Sequence, residues 1–471
     1  MISQKTRTNE FELALRQGFR QATRLGKPIL VSVSERVGEF DALAILQRGA
    51  QMTTARAYWK AARDQLTLVG LGIAHAIDGV ESPRFRQAAA DWRYLLADAV
   101  IGDSQGLPGV GPLVLGGFAF DALRHKTPLW KNFPGARLVL PKLLFTKTRD
   151  EFWLTRNVVI DQETQVDSTL LTLNAFAERV RQEISRVLPR AAAHEVEMRE
   201  LISAHAWQNI VADAVETIRR GDLEKVVAAR AVELQADAPF DSIRALDYFS
   251  KHAPGTYQFA FAREQDIFLG ATPEQLVCVR AGKLETMGLA GSMPRGATPT
   301  QDEQFGNELL ASAKERSEQE IVVRAMREVL GDTCVQLQMS AAPTLLKLGS
   351  IQHLITRFNG NLANGYTLLD VVERLHPTPA VGGRPRAAAL QWLREHEQLD
   401  RGWYAGAVGW VDANLEGEFS VAIRSALLQE YVATLFAGCG IVADSIPERE
   451  YAEAVLKLKP MLAALQVTGD E

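Results

Sequence analysis

At 471 residues, 47% of them apolar and 23% charged, the chain has ordinary globular composition and is long enough for two sub-domains or one large intertwined domain. A net charge of −5 with Lys and Arg scattered along the chain gives no basic footprint, which argues against nucleic acid as a partner. Cys278, Cys334 and Cys439 lie far apart and form no CxxC, so neither a disulfide framework nor a thiolate metal site is indicated and a cytoplasmic location is expected.

The opening MISQKTRTNEFELALRQ lacks the apolar core of a signal peptide. The longest apolar stretch, Leu66 to Ile77, is about half a membrane span and contains His75, so no membrane anchor is expected. Four short runs rich in β-formers follow the pattern of meander strands: 66–71, 114–120, 137–140 and 152–155. Between Leu171 and Arg220 the period becomes helical, interrupted at Pro189–Ala193, which marks the expected boundary between an N-terminal region, 1–195, and a second region, 196–471.

The second region opens with a helix from Trp207 to Arg220, stopped by Gly221, and turns into a strand starting at Lys225. Strands at 256–262, 267–271, 276–280, 405–411, 418–427 and 431–437 come mostly in consecutive runs, which favours antiparallel hairpins and an α+β class. A long helix is expected from Gln301 to Leu330, closed by Gly331.

Lys225 shares a strand face with Val227 and Ala229, so its ammonium leaves an apolar face. An ordinary solvated lysine is the plain alternative; a general base needs the neutral amine, which at pH 7 costs roughly 4.6 kcal/mol unless burial or nearby cations lower the pKa. Glu274 follows Gly270-Ala271-Thr272-Pro273, where the proline stops the strand and projects the glutamate either as a surface turn or as a general acid in an apolar pocket. Glu315 and Glu318 share a helix face, with Glu318 on the apolar side among Ala311, Val322 and Ala325. Ser445-Ile446-Pro447-Glu448 reads as a capping box, after which Glu450, Glu453 and Lys457 fall on one face. That face is either a solvated Glu→Lys pair or half of a carboxylate site, and oxygen-only ligands without His or Cys suit Mg²⁺. Gly438-Cys439-Gly440-Ile441-Val442-Ala443 matches GxGxxA, but with one helix remaining no dinucleotide unit can follow; its glycines better let backbone N–H groups approach an anion.

Lys225-Val226-Val227-Ala228-Ala229-Arg230, Gly270-Ala271-Thr272-Pro273-Glu274, Leu289-Ala290-Gly291-Ser292, Lys314-Glu315-Arg316-Ser317-Glu318, Gln352-His353-Leu354, His376-Pro377-Thr378-Pro379-Ala380-Val381-Gly382-Gly383, Ala422-Ile423-Arg424-Ser425 and Ala437-Gly438-Cys439-Gly440 together resemble, in order and spacing, the chorismate-utilising enzymes. The resemblance is strong over about 200–471 and, within the family, points to isochorismate synthases of the menaquinone type. Lysine at 225 is similar to water-adding members rather than glutamine-bearing anthranilate synthases, and Ala290 stands where aminodeoxychorismate synthases carry a nucleophilic lysine. The alternatives are a salicylate synthase, which shares Lys225 and Glu274, an isochorismate synthase of a siderophore pathway, and a non-catalytic chorismate-binding subunit.

The resemblance implies two packed antiparallel sheets flanked by helices, with the N-terminal region adding strands to the same sandwich. It implies that Lys225 activates water at C2 of chorismate and Glu274 protonates the C4 hydroxyl as it leaves. Mg²⁺ would be held by Glu318 and Glu453, with Glu315 and Glu450 as further or water-mediated ligands. Arg424, Lys457 and backbone near Gly438 and Gly440 would bind the enolpyruvyl carboxylate, Gly291 and Ser292 would lie near the ring carboxylate, and His353 and Thr378 beside the ring. No obligate protein partner is implied. Gln319 departs from the family pattern, which often places a charged residue or histidine after the metal glutamate.

Overall fold

Runs of β-branched and aromatic residues joined by tight turns pair into two sheets in the computed structural model, which describes residues 4–63, 66–79, 83–102, 106–183, 196–349 and 351–466. Among the described residues the first sheet has thirteen strands. Val196–Glu200, Lys225–Ala236, Val432–Ile441, Ser425–Gln429, Asp266–Thr272 and Tyr257–Arg263 continue into Arg56–Lys60, Thr67–Leu71, Leu143–Thr148, Glu151–Ile160, Ile29–Arg36 and Val100–Ile101, while Gly383–Arg384 pairs beside Lys225. The ten-stranded second sheet runs Cys334–Met339, Ile351–Leu362, Lys283–Pro294, Gln275–Arg280, Gly417–Val421 and Ala407–Asp412 into Leu113–Phe118, Ala136–Leu140 and His75–Gly79, with Thr344–Lys347 pairing beside Ile351–Leu362. Strands from the two halves of the chain therefore share both sheets.

Pairing is antiparallel except where Ile29–Arg36 meets Val100–Ile101. Two-residue hairpins such as Ala281-Gly282, both at positive φ (51° and 70°), match the right-handed twist of the flanking strands. One apolar core fills the space between the sheets, with Trp59 and Leu68 from the first facing Leu115, Leu138, Val408 and Phe419 from the second, and Trp92 and Trp207 added by outer helices. The class is α+β, as the consecutive strand runs imply.

Two sequence expectations need correction. The helix expected over 301–330 is two helices, Pro299–Ala311 and Ala313–Thr333, broken at Ser312. Ser312 is extended (ψ 116°), and its Oγ accepts from the Glu315 N–H while its own N–H closes the preceding helix, so one residue caps both. Gly331 lies inside the second helix instead of ending it. The strand expected over 418–427 is Gly417–Val421 in the second sheet and Ser425–Gln429 in the first, joined by a crossing at Ala422–Arg424 with Arg424 at φ 52°. The boundary expected at Pro189–Ala193 lies outside the described residues. Among the described residues no helix is long and apolar enough to cross a membrane.

Candidate active site

Two of the places where the chain crosses between the sheets lie side by side, and each carries a charged side chain into the interior. Pro273-Glu274 joins Asp266–Thr272 to Gln275–Arg280, and Ala422–Arg424 makes the other crossing. The crossings are tied together, since Val421 N–H donates to Glu274 O (3.0 Å) and Ala271 N–H donates to Arg424 O (3.1 Å). A polar cavity opens between them, bounded also by Gly291, Ser292, Glu318, His353, Gly438, Gly440 and Lys457.

Glu274 is 3% exposed. Burial pushes its carboxyl up to about 7 against the pull of Lys225, Arg424 and Lys457, so near neutral pH it holds a proton about half the time. Thr378 lies beside it, its buried Oγ1 without an aligned hydrogen-bond partner.

Lys225 is fully buried at the start of Lys225–Ala236, just behind the cavity wall. Its Nζ stands 2.8 Å from Glu318 Oε1, a charge contact without the alignment of a hydrogen bond. Room for the pair comes from Gly440 on the facing strand, where a Cβ would strike the Glu318 carboxylate and lie 2.8 Å from Lys225 Cε.

Gly291 (φ 71°) forms a bulge in Lys283–Pro294, and the Ser292 N–H turns to Glu315 Oε2 (3.1 Å). His353 Nδ1 lies 3.0 Å from Ser292 Oγ and 3.2 Å from Gly291 O. A carbonyl only accepts, so the proton is assigned to Nδ1 and the orphaned Nε2 is left as an acceptor in a ring that lines the cavity. Burial, then Arg424 and Lys457, drive the His353 pKa well down, which keeps the ring neutral.

The four glutamates proposed for a metal are each met by a lysine or a backbone donor. Glu318 has Lys225, Glu453 has Lys457 at 2.6 Å, and Glu450 has Lys314 at 2.8 Å, with Glu315 3.5 Å from the same Lys314. Burial and then its neighbour Glu318 raise Glu315; burial and then Glu453 raise Glu450. Burial works against charge on Glu453, but Lys457, Lys314 and Arg424 together outweigh it and the carboxyl sits below its ordinary value. Among the described residues no three acidic, histidine or cysteine side chains are already gathered as a metal cage. The donor set is oxygen-only, buried and mutually repulsive, which fits a hard divalent cation that keeps waters and substrate oxygens in its shell.

Lys457 Nζ also donates to Gly438 O (3.0 Å), which fixes it against the glycine strand. Lys225, Thr378, Glu315, Glu450 and Glu453 stand behind the cavity wall; the other residues expected from sequence lie on it. Two residues were not singled out from sequence. Lys314 directly precedes Glu315, and that adjacency was its only signal. Tyr404 lines the cavity, its hydroxyl pushed up to about 12 by burial, and no spacing in the sequence marks it. Gln319 donates to Gly288 O and Thr356 Oγ1 and so fastens its helix to the second sheet, away from the carboxylates.

The chain matches the model of a family described as chorismate binding enzyme over residues 17–466. It belongs to the chorismate-binding enzyme family. Among family members it is 34% identical to isochorismate synthase MenF of Bacillus subtilis over 99% of both chains. It is 35% identical to the salicylate biosynthesis isochorismate synthase of Pseudomonas aeruginosa over 95% of this chain and 93% of that one. The solved menaquinone-specific isochorismate synthase MenF of Escherichia coli superposes with a TM-score of 0.77 at 25% identity, covering 96% of this chain and all of that one.

Proposed function

We infer that the protein is an isochorismate synthase, an isomerase that converts chorismate to isochorismate. The observation that carries this reading is Glu274, a carboxyl raised to about 7 in a cavity it shares with Arg424 and Lys457. Such a group gives up a proton near neutral pH, and the two cations suit a dianionic substrate. The near-full-length match to isochorismate synthases supports the same reaction.

The steps balance as one water in and one water out. Lys225, parted from Glu318 and having shed a proton to become the neutral amine, takes a proton from the water that bonds to C2. The ring double bonds shift, the C4–O bond breaks, and Glu274 supplies the proton that lets the hydroxyl leave as water. Arg424 and Lys457 hold the enolpyruvyl carboxylate beside Gly438 and Gly440, Gly291 and Ser292 lie near the ring carboxylate, and Thr378 helps orient the C4 end. His353 Nε2 accepts a hydrogen bond from a ring hydroxyl. Glu318 and Glu453, with Glu315 and Glu450 as further or water-bridged ligands, would hold Mg²⁺, whose chemistry is to neutralise and fix a substrate carboxylate. The product is taken to feed menaquinone, a destination supported by the likeness to the menaquinone-specific enzyme of Escherichia coli. A cytoplasmic site of action suits three free, buried cysteines.

The test is product chromatography after incubating the protein with chorismate and Mg²⁺, beside Lys225→Ala and a chelator control. Isochorismate lost in both controls is the expected result. Salicylate plus pyruvate would move the protein to the salicylate synthases, and unchanged chorismate would overturn the catalytic reading.

A further inference from the structure

The strand that carries Lys225 is covered unevenly. One edge pairs with Val432–Ile441 from Val226 to Gln235. On the other edge Gly383–Arg384 covers Lys225–Val226, and Val196–Glu200 covers Val232–Ala236. Between them the ladder is completed largely by side chains. Arg401 Nη2 donates to Val227 O (2.6 Å), the Ala229 N–H donates to Glu397 Oε2 (2.8 Å), and Trp207 Nε1 donates to Ala229 O (3.1 Å).

Arg401 and Glu397 are themselves a two-pronged ion pair, both contacts 2.7 Å, with 3% and 5% exposure. The arginine reaches further. Its Nη1 donates to Val381 O (2.9 Å), its guanidinium lies 4.3 Å from the Phe120 ring centre, and its carbonyl accepts from the Tyr404 N–H (2.8 Å). Neither partner of the pair lines the cavity, yet Val227, Val381 and Tyr404, which they hold, all do. A buried ion pair is a poor source of stability compared with apolar side chains of the same volume, so its retention here calls for another reason. Arg424 and Lys457 belong to the sheet crossing and the last helix, and none of Arg401's hydrogen bonds reaches them.

We propose that Glu397 and Arg401 are positioning residues that lock the Lys225 strand, the 376–383 loop and Tyr404 into one rigid wall, so that the lysine meets its water at reacting distance. The inference rests on Lys225 acting as the base. Because Arg424 and Lys457, the cations assigned to the substrate carboxylate, are not among Arg401's hydrogen-bond partners, loosening this wall lowers turnover more than it weakens binding.

The experiment compares Arg401→Lys, Arg401→Ala and the paired swap Arg401→Met with Glu397→Leu, which keeps the interior apolar and free of stranded charge. Steady-state kinetics with chorismate are read beside melting temperature. The lysine variant and the paired swap are expected to lose about 10- to 100-fold in kcat, the scale of a roughly 1 Å misplacement, with KM within about threefold of wild type. The paired swap keeps a melting temperature close to wild type. Added methylguanidine restores part of the lost kcat in Arg401→Ala and does nothing for Arg401→Lys; if the alanine variant does not fold, the other two decide. A folded paired swap or lysine variant with wild-type kcat overturns the proposal, as does a loss confined to melting temperature or to KM. Wild-type protein that makes no isochorismate fails the functional reading itself, a result distinct from any variant's behaviour.

Discussion

Lys225 and Glu318 form an ion pair of 2.8 Å in which the lysine side chain is fully buried and the glutamate side chain 11% exposed. The proposed base is thereby tied to a proposed metal ligand. Removing one partner strands the other's charge, so Glu318→Gln should destabilise the fold by about 3–5 kcal/mol. Lys225→Met combined with Glu318→Gln should recover most of that loss. Urea unfolding of the two single variants and the double gives the coupling, and additive losses would mean that the pair is not linked in solution.

Glu274 sets a pH dependence with a definite sign. As the proposed general acid it must be protonated, so kcat/KM should fall as pH rises through about 7. Stability moves in the same direction. A carboxyl raised from 4.5 to about 7 on folding stabilises the fold fully below pH 4.5, and that contribution is lost as pH climbs to 7, a difference of roughly 3 kcal/mol. Glu274→Gln should be inactive yet melt higher than wild type at pH 8, with the gap closing by pH 5. Equal melting temperatures at both pH values would contradict a raised carboxyl.

Chelation should abolish turnover, and Mg²⁺ should restore it. Glu453→Gln leaves one carboxylate fewer and Lys457 without its 2.6 Å partner. The Mg²⁺ concentration for half-maximal activity should then rise by at least about tenfold, roughly 1.4 kcal/mol. A magnesium titration of activity that superposes on wild type would remove Glu453 from the metal site.

His353 is neutral and offers an orphaned acceptor. His353→Ala should lower kcat/KM by about tenfold, the worth of one hydrogen bond to substrate, and should leave the shape of the pH profile between 5 and 8 unchanged. A limb that disappears in the variant would show that the ring titrates.

Gly440 admits no side chain. In Gly440→Ala the new methyl meets both Glu318 and Lys225, so activity should fall by more than about a hundredfold. The test is a circular-dichroism melt beside the assay, where normal activity would mean that the pair can move aside.

The candidate site's residues were legible because they sit in short, contiguous segments, most of which the structure brings to one cavity. Pro273 before Glu274 reads as the end of a strand, and the structure turns there from one sheet to the other. What stayed hidden was relational. Glu315 and Glu318 share a face whether or not the helix breaks, so periodicity passes over Ser312, which fits a helix interior as well as a cap. The run 418–427 reads as one strand because Arg424 carries no glycine to announce its left-handed backbone. Arg401 reaches the lysine strand across 174 positions of sequence, a distance over which spacing says nothing.

The two sheets are completed by strands from both halves of the chain, with Arg56–Lys60 waiting for Tyr257–Arg263 and Leu113–Phe118 waiting for Ala407–Asp412. During synthesis the first half therefore leaves the ribosome with two open edges, the second of which is not closed until some three hundred further residues have been made. Those edges are ready templates for pairing with another nascent chain. Expression yield should accordingly depend on how fast translation delivers the second half, with slower elongation or crowded synthesis sending more of the protein to aggregates.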